Sequence, residues 1–229
     1  MTCLKLKSVA LATALVASMA SAQAQTVLLA EGFEDVAALT SAGWVISNLS
    51  TAGGLTSWDQ GSASVFTAQA GTNNSYAAAT YQNAPITGGR IYTLLITPEL
   101  SLVNAGVLSF WTRSSNQSVF ADRLSVALSV DGADTHAGSF LTSLAGINLT
   151  LQAGAYPSDW TAYNVSYDAQ GPGVTGRFAF IYSIPSNLTQ GDYVGIDTVS
   201  VTAVPEPASW ALMGLGVLGL GALRRRSVR

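Results

Sequence analysis

From Arg123 to Val130 the chain alternates: Leu124, Val126, Leu128 and Val130 interleave with Arg123, Ser125, Ala127 and Ser129. Successive side chains of an extended strand point to opposite faces, so such a run buries one face and leaves the other to small or polar residues. Phe178, Phe180, Tyr182 and Ile184 repeat the pattern from Arg177 up to Pro185, which has no N–H to give to a sheet. Further short runs read as strands at Val27–Phe33, Tyr76–Tyr81, Arg90–Thr97, Val107–Arg113, Trp160–Tyr167 and Tyr193–Ala203, and Asp131-Gly132 reads as a tight turn. Gly, Asn, Ser and Pro fill the gaps, and no stretch keeps a 3.6-residue period long enough for a major helix. Many short strands without interleaved helices predict an all-β fold, an antiparallel jelly-roll β-sandwich, over residues 25–203. Trp44, Trp58, Phe110, Trp111, Trp160, Phe178 and Phe180 are expected mostly in its core, with some free to line a binding face.

The charge distribution excludes whole classes of function. Residues 25–203 hold twelve carboxylates against four arginines (Arg90, Arg113, Arg123 and Arg177) and no lysine, hence a net charge of −8. Such a surface has nothing with which to neutralise phosphates, so no nucleic-acid partner is expected. Cys3 is the one cysteine and precedes the domain, which removes disulfides, thiol nucleophiles and Cys-ligated zinc together. His136, the one histidine, follows the Asp131-Gly132 turn with no nucleophile advertised beside it, and no G-x-S-x-G or H-E-x-x-H pattern occurs. No catalytic residue is predicted.

The two ends carry addresses. Lys5 and Lys7 precede an apolar run from Val9 to Ala20, and Ala22-Gln23-Ala24 is a small-x-small pattern; residues 1–24 therefore read as a helical secretory signal, cut by signal peptidase after Ala24. At the other end, residues 204–229 contain Pro205-Glu206-Pro207, a glycine-rich apolar segment from Trp210 to Leu223, and the basic cluster Arg224-Arg225-Arg226. That segment is short for a permanent span and reads as a short hydrophobic helix that anchors transiently, the arginines staying cytoplasmic. The ordered set resembles the PEP-CTERM sorting signal of Gram-negative bacteria. The resemblance implies transient inner-membrane insertion, recognition of Pro205, Glu206 and Pro207 by an exosortase, and delivery to the cell surface or an exopolysaccharide matrix. An ordinary tail anchor behind a Pro-rich linker is the competing reading.

A second resemblance spans about Leu28 to Val201. Glu31-Gly32-Phe33-Glu34-Asp35, Gly43-Trp44 and Trp58-Asp59 open the domain; Leu108-Ser109-Phe110-Trp111, Asp122-Arg123-Leu124 and Gly176-Arg177-Phe178 follow; Ile196-Asp197-Thr198-Val199 closes it. The order resembles the choice-of-anchor J domain and, more remotely, the MAM and cleaved-adhesin jelly rolls. It implies an extracellular domain without an assigned reaction, lacking the MAM cysteines. It also implies that Glu34 and Asp197 occupy the positions at which related jelly rolls join first and last strands through a cation, here Ca2+. That ion needs further oxygens from residues such as Glu31 and Asp35. The alternative is that both carboxylates merely satisfy backbone donors.

The expected function is that of a non-enzymatic, exported surface or matrix protein, structural or adhesive. A carbohydrate-binding module is the first alternative and predicts Trp44, Trp58 or Trp160 on an open face. A glycoside hydrolase is the second and predicts two carboxylates converging in one cleft.

Overall fold

The computed structural model describes residues 25–52 and 54–204; the expected signal helix with Ala22 and Ala24, and the expected C-terminal helix with Pro205, Glu206 and Pro207, lie outside them. The β unit is Thr26–Ala203. Its strands are β1 (Thr26–Glu31), β2 (Val45–Asn48), β3 (Asp59–Gln60), β4 (Ala77–Thr80), β5 (Ile91–Ile96), β6 (Leu100–Ser101), β7 (Gly106–Ser114), β8 (Leu124–Ser129), β9 (Thr142–Ile147), β10 (Thr161–Tyr167), β11 (Thr175–Ile184) and β12 (Tyr193–Ala203). The helical content among the described residues is three 3₁₀ segments, at Val36–Ala42, Tyr81–Asn83 and Ala137–Ser139.

The strands form two antiparallel sheets of a jelly-roll sandwich. The first has the order β10-β7-β12-β4-β3, with β1 also on β12; the second has the order β2-β5-β11-β8-β9, with β6 also on β11. β12 is the most heavily paired strand. One edge lies along β7, while the other is shared end to end by β4, opposite Tyr193–Ile196, and β1, opposite Val199–Ala203. The last strand of the domain thus zips its first, with Thr26 opposite Ala203.

The facing sheets bury Trp44, Trp58, Leu95, Phe110, Phe178, Phe180, Ile196 and Val201, and their removal from water drives the sandwich together. Aromatic rings interlock there, Phe110 edge-on to Phe180 and Tyr167 edge-on to Phe178. Two smaller clusters sit on the outer faces. On the second sheet, Phe140 and the 3₁₀ segment Ala137–Ser139 cover Leu94, Ile96, Ala179 and Ile181. On the first, Phe66 from the 61–75 loop packs on Tyr76 and Ala78 with Trp160 and Tyr193.

The strand pattern holds with two corrections. Asp131-Gly132 does not close a two-residue hairpin: it opens a long connection from β8 to β9, in which Gly132 takes φ +64° and its N–H bonds Thr175 O on β11. Four strands, β2, β3, β6 and β9, leave no alternation to read. β3 and β6 are two residues long, β2 is an edge, and β9 pairs along one side only, so none needs a continuous buried face.

Candidate functional site

The outer face of the first sheet gathers most of the residues singled out by the sequence. Its central device is a bulge in β12: the register against β7 shifts between Asp197 and Ser200, and Thr198 adopts φ +49°. Ile196 and Val199 on either side point into the core, which leaves Asp197 on the outer face. There it has no exposed surface, because the 61–75 loop lies over it. Asp197 Oδ2 accepts from the N–H groups of Gln69 (2.8 Å) and Ala70 (3.1 Å), and Oδ1 accepts from the N–H of Thr198, whose hydroxyl donates to Gln69 Oε1 at 2.7 Å. Burial raises its pKa against the pull of these bonds.

Glu34 reaches the same loop from the other side. Phe33 turns through φ +56° at the end of β1, and the exposed carboxylate of Glu34 lies over two glycines. Its Oε1 is 2.7 Å from where a Cβ on Gly32 would stand and 3.5 Å from where one on Gly71 would stand. The last strand and the segment that follows the first therefore each present one carboxylate to the 69–75 turn. Three backbone N–H donors already occupy Asp197, while the Thr198 hydroxyl gives its one proton to Gln69 Oε1 at 2.7 Å. Among the described residues no third His, Cys, Asp or Glu gathers with this pair. A calcium ion there would have to take electron pairs that backbone N–H groups hold, and this donor set fits a backbone clamp better than a cation.

Beside the clamp stands the outer aromatic cluster. Phe66 stacks on Tyr76 (4.8 Å between centroids), Trp160 meets both edge-on, and Trp160 Nε1 donates to Thr67 O. Arg113 lies beneath, its guanidinium 4.5 Å from the Phe66 ring, and burial lowers its pKa. The Asp159 carboxylate is 4.0 Å away, the one ion pair among the described residues.

The tryptophans divide differently from expectation. Trp44 and Trp58 are 2% and 1% exposed and belong to the core, so neither offers a ring to a ligand. Trp160 is half-buried and committed to the Phe66 cluster. Trp111, expected with the core, is instead half-buried on the outer face: on β7 the inward side chains are Leu108, Phe110 and Thr112, which turns Ser109, Trp111 and Arg113 outward.

A cleft of about 630 Å³ lies between edge strands β2 and β3 and the 3₁₀ segment Val36–Ala42, lined by Asp35, Val36, Thr40, Ile46, Trp58 and Asp59 among others. Both carboxylates have local duties. Asp35 Oδ1 caps the segment at Ala38 N, and Asp59 Oδ2 accepts from Ser57 N. His136 likewise caps Ala137–Ser139, its Nδ1 accepting from Gly138 N. One group that the sequence did not flag is Asp122. It has no exposed surface, accepts from Tyr182 Oη and Asp192 N on Oδ1, and leaves Oδ2 without a partner.

Comparison with known proteins adds two findings. Residues 203–226 match the PEP-CTERM protein-sorting motif, which implies export, surface sorting and processing by an exosortase; the match begins on the last residue of β12. The solved structures it resembles include the K1 cleaved adhesin domain of Lys-gingipain from Porphyromonas gingivalis, at 22% identity and TM-score 0.58, over 78% of this chain and 99% of that one. The K3 domain of the same protein matches at 20% identity and TM-score 0.51, over 79% and 100%. This likeness is one of fold, a jelly roll. No curated protein matches the chain.

Proposed function

We propose that the chain is exported with loss of residues 1–24, held briefly in the inner membrane by its C-terminal apolar segment, and released by an exosortase near Pro205-Glu206-Pro207 to the cell surface or an exopolysaccharide matrix. There a choice-of-anchor J-like domain serves a structural or adhesive role without catalysis. One observation carries this reading: a sorting motif at residues 203–226 that starts where β12 ends, so that the folded domain and its address meet at Ala203.

The chemistry of the domain supports a non-catalytic role. His136, Asp35 and Asp59 each hold local backbone, Asp122 is sealed inside, and Asp197 is held by three backbone N–H groups. With no cysteine in the domain, its stability rests on the core and on β12.

Intact-mass analysis of the protein from its native host, beside a strain lacking the sorting transpeptidase, tests the reading. The expected mature form begins near Gln25 and ends near Pro205-Glu206-Pro207, with loss of the tail dependent on the transpeptidase. Retention of Arg224–Arg229 in both strains would make the tail a plain anchor and overturn the sorting reading.

A further inference from the structure

Trp111 stands apart from every other large aromatic side chain on the first sheet. Among the described residues it belongs to none of the three apolar clusters, pairs with no other ring and has no hydrogen-bond partner for its indole N–H, and the residue is half-buried. A tryptophan on a central strand ordinarily packs into a core or under a loop. This one keeps part of its ring in water, on a strand whose neighbours on both sides are ordered.

The ladder registers define its surroundings. Directly beside Trp111 are Ala162 on β10, exposed and too small to cover the ring, and Asp197 on β12, roofed by the Gln69–Ala70 backbone. One step along the face lie Ser109, with Asn164 opposite on β10 and Ser200 opposite on β12. The accessible face therefore presents one flat aromatic bordered by hydroxyl and amide groups, walled on one side by the loop and open on the other.

We infer that this face binds a neutral polysaccharide, with a pyranose ring stacked on Trp111 and its hydroxyls met by Ser109, Asn164 and Ser200. An aromatic platform ringed by a few neutral polar groups matches a sugar, whose C–H face is apolar and whose rim both donates and accepts. Charge selects the class. The face presents no exposed charged side chain at these positions, and the domain carries a net −8, so a polyanionic chain is repelled while a neutral one is not. The inference concerns the domain in solution and does not rest on the sorting reading.

The test is native affinity electrophoresis of the purified protein in gels containing hydroxyethylcellulose, galactomannan or dextran, with alginate as the polyanionic comparison. At least one neutral polymer is expected to retard the protein, and alginate is not. Trp111→Ala should weaken retardation at least tenfold while leaving the melting temperature nearly unchanged, because the ring supports no core cluster. Ala162→Arg, which lays a long side chain across the open side of the ring from an exposed position, should do the same if Trp111→Ala folds poorly. No retardation by any of the three neutral polymers, retardation of Trp111→Ala and Ala162→Arg as strong as that of the unsubstituted protein, or retardation by alginate as strong as by a neutral polymer would each overturn the inference. Because the assay uses protein free of the membrane, an uncut tail in the host leaves it untouched, and its failure leaves the sorting reading standing.

Discussion

The hydroxyl of Tyr182 donates to Asp122 Oδ1 at 2.6 Å in a place where neither residue has any exposed surface. Burial outweighs this bond and the one from Asp192 N, and pushes the carboxyl up to about 6. The folded-state value lies above that of an unfolded aspartate. The resulting stabilisation is full below about pH 4 and is lost as pH rises through about 6, with a ceiling of roughly 3 kcal/mol. Urea unfolding at pH 4.5 and pH 7.5 should show a more stable protein at the lower pH. Asp122→Asn should remove most of that difference, and a slope that survives the substitution would assign it elsewhere. Asp197 is shifted in the same direction by burial and contributes with the same sign.

Asp197 clamps the 69–75 turn through oxygen lone pairs, so an amide is a poor replacement. Asp197→Asn turns an NH₂ group either on the Gln69 and Ala70 N–H groups or on those of Thr198. The expected loss is about 2–3 kcal/mol by urea unfolding. That loss should persist with EDTA present in both samples, where a role confined to holding a metal would make the two proteins alike.

Phe66 roofs Arg113 and joins Tyr76, Trp160 and Tyr193, so Phe66→Ala should cost about 3 kcal/mol. The damage should be local. Limited proteolysis is expected to cut the 61–75 loop first while β5, β8 and β11 stay protected; uniform cleavage would mean that the loop is no separate unit.

Gly106 sits between two strands, opposite Tyr167 on β10 and Ala203 on β12. A Cβ there would stand 2.0 Å from Thr202 O and 2.4 Å from the Tyr167 hydroxyl. Gly106→Ala should therefore destabilise by at least about 2 kcal/mol, seen as a lowered thermal midpoint. Gly171→Ala provides the contrast: a Cβ there meets nothing within 4 Å, although the φ of +103° still strains it, so its cost should be the smaller of the two.

The long strands were legible because large aliphatics and aromatics recur at every second residue of β7, β8, β11 and β12, although β8 and β11 are in fact buried on both faces. The edge strands were not, since β3 is held by two pairs to β4 and needs no apolar pattern. The tryptophans show the same division. Pattern marks Trp111 only as one apolar residue among others on a strand that also carries Leu108 and Phe110, and which of two opposed faces becomes the core is fixed by the second sheet, a long-range fact. Asp122 was silent for a related reason: nothing near it in the chain indicates that Tyr182, sixty residues on, will enclose it. Glu34 and Asp197 were placed by resemblance, and they do meet one loop. The hydrogen-bond partners of Asp197 are backbone groups, which no side-chain pattern records.

The zipping of β12 between β7 on one edge and β4 and β1 on the other gives the domain a mechanical character. A protein held by its C-terminal end takes load at Ala203, along the axis of β12, when something drags on the sheet face. Ladders on both edges of that strand then bear the pull in parallel, as shear, and many hydrogen bonds must fail together before the strand slips. A drag applied at Thr26 instead would part β1 from Ala203 one pair at a time. The same fold is therefore tough when tethered by its tail and weak when tethered by its head, and single-molecule pulling between Ala203 and a residue on β10 should give a higher rupture force than pulling between Thr26 and Ala203.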